Sequence, residues 1–332
     1  MIELPGHWIE PLVFGDGRSL PCRVFPGPMD GVSESSFVSA LSSRGWVRMW
    51  HTPFLRISTG VPRMSRLRNW LSDYQATGLP VIAQVMGTDG GRLAATGGRL
   101  HQLGVSCVDV NCACPSPTVV RNQSGGARLK HPEWICDTIH RLRESCGNKG
   151  VSVKIRIGFE SASEFPKIAE ALRECRPDIV FLHFRTVHEM YGPVPGGWER
   201  FRMARELLEG LTLVGCGDVC SVEDASRLAS ICPGLDGVSV ARGLLRDPLL
   251  LRRIEHGCGG ELVDGAGDAL EFLLEIARES GRPSGADNGF VLKLARAMFG
   301  GEHEHFLRIA DARNVGNTIS YLEGQVRKQA QE

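Results

Sequence analysis

The sequence predicts an α/β chain, a (β/α)₈ TIM barrel followed by a small all-helical C-terminal domain. Three observations carry that prediction. Eight short, apolar, β-branched stretches recur between residues 23 and 240, separated by segments with helical spacing or turn residues. They occupy roughly the length that one such barrel takes. Beyond residue 261 the strand pattern stops. There Leu270, Leu273, Leu274 and Ala277 fall at helical spacing, as do Val291, Leu294, Ala295 and Met298. The expected division is an N-terminal extension over 1–22, a barrel over 23–260 and a helical domain over 261–332.

Taken in order, residues 1–22 read as an appendage with Pro and Gly turns. The first strand is 23–25, ended by Pro26-Gly27-Pro28-Met29-Asp30-Gly31. A helix follows from about residue 33, opened by Ser-x-x-Ser capping chemistry. The second strand is 46–50 and the third 80–85, ahead of a helix over 91–103. The fourth, Cys107-Val108-Asp109-Val110, breaks into Asn111-Cys112-Ala113-Cys114-Pro115-Ser116, because Pro115 has no N–H for a ladder. A Gly-rich loop, Ser124-Gly125-Gly126-Ala127, leads to a helix near His131-Pro132. Strands at 151–156, 178–184, 211–214 and 236–240 complete the set, with helices at 162–174, 199–208 and 221–231. Ser221 and Asp224 form the cap of the last helix.

The 42% apolar content and 40 glycines exclude a disordered or fibrous chain. No apolar run approaches membrane-spanning length, and the first residues carry no basic segment, so neither a membrane span nor a signal peptide is expected. Eleven cysteines without regular spacing fit free thiols in a reducing cytoplasm. A monomer is expected. Net charge is zero but unevenly distributed. Residues 35–72 hold no acid and six arginines, Arg44, Arg48, Arg56, Arg63, Arg66 and Arg68. Residues 261–332 hold twelve acids against eight Lys/Arg. Such a basic run suits a polyanion, and equally suits an ordinary solvated face.

In a barrel the reacting groups stand at the C-terminal ends of the strands. Those positions give Pro28-Met29, Phe54 and Arg56, Gln84, Asn111 to Cys114, Lys154 with Arg156, and His183 with Arg185. They also give Gly215-Cys216-Gly217-Asp218 and Ala241-Arg242-Gly243. Gln84, Lys154 and His183 end runs that would otherwise be core, so each needs a partner. The last two groups follow strands seven and eight, the usual barrel position for a phosphate. Each residue also has a bland reading. Cys114 alone reads as a small buried residue, His183 as a satisfied core histidine, and Gln84 as a tie between loops. Cys112 and Cys114 lack His or CxxC partners at ligand spacing, so no metal is expected.

Together these residues make the chain resemble the tRNA-dihydrouridine synthases. The resemblance spans about residues 24–319. It rests on Pro28-Met29-Asp30-Gly31, Gln84, Asp109-x-Asn111 with Cys114-Pro115-Ser116, Arg121-Asn122 with Gly125, Lys154-x-Arg156, His183-x-Arg185 and Ala241-Arg242-Gly243. The wording around Asn111 is most similar to the bacterial C-type branch. The resemblance implies an FMN-dependent reduction of uridine in tRNA to 5,6-dihydrouridine, with NADPH as reductant. It implies that Pro28 and Met29 pack on the flavin, Gln84 bonds its ring, and Lys154 and His183 stabilise its charge. The phosphate would sit by Gly215, Cys216, Gly217, Asp218, Ala241, Arg242 and Gly243. Hydride would pass from flavin N5 to uracil C6 and a proton from Cys114 to C5. Asn111, Arg185, Phe54 and Arg56 would hold the substrate, and the basic run and helical domain would grip tRNA.

Two departures stand out. Ala113 replaces the family's usual Gly, at a cost of about 1 kcal/mol if the position needs φ > 0. Cys216 replaces an Asn. Two rival readings follow: an FMN barrel acting on a free small molecule, and a relative of impaired activity that only binds RNA.

Overall fold

The computed structural model describes residues 4–32, 35–256, 266–280, 288–329 and 331. Its strands are β1 (Leu12–Val13), β2 (Ser19–Leu20), β3 (Val24–Pro26), β4 (Trp50–His51), β5 (Leu55–Ile57), β6 (Val81–Gly87), β7 (Cys107–Cys112), β8 (Gly150–Arg156), β9 (Ile179–His183), β10 (Leu213–Cys216) and β11 (Gly237–Val240). The helices are α1 (Ser35–Ser43), α2 (Met64–Ala76), α3 (Gly90–Gln102), α4 (Pro117–Arg121), α5 (Pro132–Cys146), α6 (Phe165–Cys175), α7 (Arg200–Leu207), α8 (Val222–Ile231), α9 (Arg242–Arg246) and α10 (Leu250–His256). Four more follow: α11 (Ala266–Ser280), α12 (Gly289–Phe299), α13 (Glu304–Asp311) and α14 (Val315–Gln329).

All ladders between β3 and β11 are parallel, in the order β3-β11-β10-β9-β8-β7-β6-β4 with β5 also on β6. First and last strands pair, Val24 opposite Val238, so the sheet curls into the predicted barrel. Nearly every strand residue is buried, as expected of a parallel sheet with helices outside and a filled interior.

The second strand differs from its prediction. Pairing begins only at Trp50, opposite Val81, and resumes at Leu55 after Pro53 interrupts it. Trp46, expected in that strand, packs instead on Phe272 of α11, ring centroids 5.6 Å apart. The helix over 162–174 starts with a 3₁₀ turn, Ala162–Glu164, closed by a capping box on Ser161. Ser221 caps α8 as expected, accepting from Asp224 N–H at 3.1 Å. The Ser-x-x-Ser start at residue 33 lies outside the described residues.

The N-terminal residues are no loose appendage. Leu12, Leu20 and Cys22 pack into the barrel interior against Phe25, Ile82, Ile179 and Phe181. Trp8 is fully buried and its Nε1–H donates to Leu235 O at 3.0 Å. Arg18 pairs with Asp178 at 2.8 Å. The β1–β2 hairpin therefore closes the barrel floor and leaves the other end for chemistry.

Helices α11–α14 form the predicted helical group, with Leu270, Leu273, Ala277, Val291 and Leu294 all fully buried. The expected boundary at 260/261 lies outside the described residues. Phe37 of α1 meets Phe272 and Phe290 edge-on at 6.0 and 6.2 Å. Arg44 donates to Glu275 at 2.8 Å, and Arg48 stands 4.0 Å from Glu255. Acids of the C-terminal half thus neutralise two of the six arginines. Arg56, Arg63, Arg66 and Arg68 stay exposed, with no ion pair among the described residues.

Candidate active site

The strand C-termini surround a cavity of about 800 Å³. The turn after β3 contributes Pro28 and Met29, the loop after β4 Phe54, and β5 Arg56. Successive strands add Gln84, Asn111, Lys154, His183 and Cys216, and the loop after β7 adds Cys114. Gly217, Asp218, Ala241 and Arg242 complete the wall. The sequence expected each of these there. Gly215, Gly243 and Arg185 do not line the cavity. Strand alternation turns Gly215 outward, where a Cβ would meet Leu235 at 3.0 Å, while Cys216 faces in. Gly243 lets α9 pack: a Cβ would come within 2.5 Å of Val219 O.

Cys114 is held by a relay that starts deep in the barrel. Asp109, fully buried, accepts from Ser152 Oγ–H at 2.7 Å, from Gln84 Nε2–H at 2.7 Å and from His51 Nε2 at 3.1 Å. With its amide nitrogen turned to Asp109, Gln84 presents Oε1 to Asn111 Nδ2–H at 2.7 Å. Asn111 then turns Oδ1 to the N–H groups of Ala113 and Cys114, both at 3.0 Å. Three donors satisfy the carboxylate, and its lone pairs fix which way each amide points. Asn111, expected at the uracil edge, is first a brace for the cysteine loop, with one amide hydrogen left over.

The glycine pair supports the loop from outside. Gly125 has φ +56°, and a Cβ there would meet Val119 at 2.6 Å and Cys114 Cβ at 3.0 Å. Gly126 N–H donates to Cys114 O at 2.9 Å. Ala113 does not take positive φ, unlike Gln123, Arg176, Met190, Asp218 and Arg313. The strain anticipated at Ala113 is absent, and the loop keeps its shape through Asn111. Cys112 is fully buried in the barrel wall, while Cys114 faces the cavity. Burial pushes the Cys114 thiol above its ordinary value of 9.0, partly offset by the charges of Arg156 and Arg56. It is a protonated acid at neutral pH.

Beside it, on the neighbouring strands, stands a cationic wall. Lys154 makes no hydrogen bond to another described residue, although it is partly buried at the cavity surface. His183 accepts from Arg185 N–H at Nδ1, 3.2 Å, so its proton sits on Nε2. Burial, and then Arg156, Lys154, Arg185 and Arg242, hold its pKa well below 6.5, so the ring is neutral. Arg156 lines the cavity too. Its Nε–H donates to Ala113 O at 2.9 Å and its Nη1 to Thr186 O and Met190 O at 2.8 and 2.7 Å. Burial lowers its pKa to about 10, which leaves it charged. Its place two residues beyond Lys154, on the same face of β8, was the available signal. Tyr191, between the guanidinium groups of Arg156 and Arg242 at 5.5 and 5.8 Å, and Lys293 of α12 also reach the cavity. No local pattern announces either.

At the far corner Asp218, with φ +57°, receives Arg185 Nη2 and Arg242 Nη2, both at 2.5 Å. Two cations against one carboxylate leave net positive charge beside the left-handed Gly217 and the start of α9, a fitting place for a phosphate monoester. The ammonium of Lys154, unpartnered among the described residues, the Nε2–H of His183 and the cavity volume suit a flavin ring. These residues fit FMN.

The sequence matches the dihydrouridine synthase family over residues 25–282. A Shewanella oneidensis protein named tRNA-dihydrouridine(16) synthase is 30% identical over 270 residues, covering 79% of this chain and 84% of that one. One of the same name from Pseudomonas syringae pv. tomato is 28% identical over 242 residues, covering 71% and 75%. Morphinone reductase superposes with a TM-score of 0.54 at 15% identity, covering 80% of this chain and 93% of that one. The old yellow enzyme homologue of Zymomonas mobilis gives 0.54 at 12% identity, covering 76% and 94%. Those two likenesses show the barrel fold. The family match spans the barrel strands and every cavity residue except Lys293, and the chain belongs to the dihydrouridine synthase family of NADPH-dependent flavin oxidoreductases that reduce uridine in tRNA.

Proposed function

We propose that this chain reduces the uridine at position 16 of tRNA to 5,6-dihydrouridine, with Cys114 as the proton donor. The observation that carries the residue assignment is the placement of a braced thiol on the wall of the cavity that also takes in Lys154, which stands on the neighbouring strand and bonds to no other described residue. Position 16 rests on the names of the relatives. A stacked uracil cannot reach the cavity, so the base flips out of the tRNA fold to enter it. When bound, FMN supplies the hydride to uracil C6. Pro28 and Met29 form an apolar wall for the flavin ring, and Lys154 and the His183 N–H place positive potential against it. Gly217, Ala241 and Arg242 would hold its phosphate. Arg185 acts from behind by holding Asp218. Cys114 gives its proton to C5, and the Arg156 guanidinium steadies the thiolate until solvent reprotonates it. Phe54 and Arg56 meet the nucleotide at the rim. Ten described cysteines are free thiols, which supports a cytoplasmic setting, and we read the working unit as one chain.

Dihydrouridine mapping in tRNA from cells with and without the gene is the direct test. Loss of the modified base at position 16 alone is expected; an unchanged position 16 sinks the site assignment. The exposed Arg63, Arg66 and Arg68 carry the proposed tRNA contact. Replacing all three with Ser is expected to weaken tRNA binding and to lower the slope of log affinity against log salt by about 2–3. An unchanged slope makes that run a solvated face only.

A further inference from the structure

Helices α5 and α6 lie side by side outside the barrel, on either side of β8 in sequence. Cys136 and His140 stand one turn apart on α5, and Glu174 and Cys175 end α6. Ligand atoms of Cys136, His140 and Glu174 all lie within 4.8 Å of one another. Cys175, beside Glu174, turns its thiol to Leu172 O at 3.8 Å. Cys136 and Cys175 are buried, whereas His140 and Glu174 are exposed. His140 has no hydrogen-bond partner among the described residues, and no Lys or Arg there pairs with Glu174. A thiol, an imidazole and a carboxylate thus converge, with no Lys or Arg of the described residues paired to the carboxylate. The sequence does not announce this set, because its two halves are far apart in the chain.

We propose that Cys136, His140 and Glu174 form a zinc site that staples α5 to α6, with water as the fourth ligand. A thiolate with an imidazole selects a borderline-soft ion over magnesium or calcium, and three protein donors with one water complete a tetrahedron. Bond lengths of about 2.0–2.3 Å put neighbouring donors roughly 3.3–3.8 Å apart. The exposed imidazole and carboxylate close the remaining ångström by rotamer adjustment, while the buried Cys136 thiol stays in place. Binding releases the Cys136 thiol proton to solvent, and the ion takes its place between the thiolate, His140 and Glu174. The staple lies outside the barrel, so its effect is on the rigidity of the wall that carries Lys154 and Arg156, not on the chemistry.

The test uses flavin-loaded enzyme stripped with a chelator and then titrated with Co²⁺ alone or Zn²⁺ alone. One equivalent of Co²⁺ is expected to give tetrahedral thiolate absorption to the red of the flavin bands. Zn²⁺ is expected to abolish that absorption and to raise Tm. His140→Ala, at an exposed position that cannot unfold the chain, and Cys136→Ser are each expected to weaken Co²⁺ binding by at least the roughly 10–100-fold that even outer-shell losses cost. Absence of the tetrahedral band, or a band unchanged in both variants, overturns the proposal.

Discussion

Cys114→Ala is expected to purify with its flavin, accept reducing equivalents from NADPH at the wild-type rate, and lose about 10²–10⁴-fold in uridine reduction. The reasoning is geometric. Cys114 faces the cavity, but none of its side-chain atoms props up the loop, whose shape comes from Asn111 Oδ1, Gly126 N–H and Arg156. Removing Sγ therefore deletes the acid and leaves its frame. Dihydrouridine formed per enzyme reads the loss, and flavin bleaching by NADPH reads what remains. Undiminished turnover removes Cys114 from the reaction. Burial also sets the pH profile. The thiol titrates above 9.0, so wild-type turnover holds through neutrality and falls only on the alkaline side of that value. The residual rate of the Ala variant lacks this limb.

The second large effect is expected at Asp109, which touches neither flavin nor base. Asp109→Ala strands the donors of His51, Gln84 and Ser152 in a dry interior. Breaking such a buried charged network costs about 3–5 kcal/mol, read as a fall in Tm or in the denaturant midpoint. Asp109→Asn separates stability from positioning. The amide has the same shape and fits the space, but one acceptor oxygen replaces two where three donors converge, and with its NH₂ at the Oδ2 position it meets Gln84 Nε2–H, donor against donor. Gln84 then turns over, offers a donor to Asn111, and Asn111 loses its hold on Ala113 and Cys114 N–H. A fold near wild-type stability with turnover lowered about 10–100-fold, and an unaltered flavin half-reaction, is the expected signature. Wild-type turnover in the Asn variant would leave Asp109 a structural residue only.

Much of this site was legible because parallel strands are otherwise apolar. Gln84, Lys154 and His183 stand out as polar ends of buried runs, and a polar end must face something. Position past the strand did not separate Cys114 from Cys112; the resemblance did, through Pro115-Ser116 after Cys114 and the distance to Gly125. Arg156 obeyed the same rule and was read beside Lys154 at the strand end, but no role in the site was expected of it. What stayed hidden depends on distant partners. Lys293 reaches the cavity only because α12 docks on the turn after β3, where its Nζ donates to Gly31 O at 3.3 Å. Arg44 looked like part of a polyanion surface until Glu275 came to meet it. Trp46 looked like a strand residue because its aromatic partner lies in another domain. The braces of Asn111 were invisible for another reason: an amide at a strand end reads the same whether it serves substrate or backbone.

The pairing of β3 with β11 has a consequence for biosynthesis. A chain emerging from the ribosome carries its first strand, and the hairpin that floors the barrel, long before Gly237–Val240 exists. Until that last strand clears the exit tunnel, Val24 and Phe25 have no ladder, Trp8 has no carbonyl acceptor, and an apolar edge faces water. Sealing is thus a late, long-range event of the slow kind that high contact order imposes. A nascent chain paused before residue 237 is a natural client for chaperones, and the cavity comes into being only when the two ends of the barrel meet.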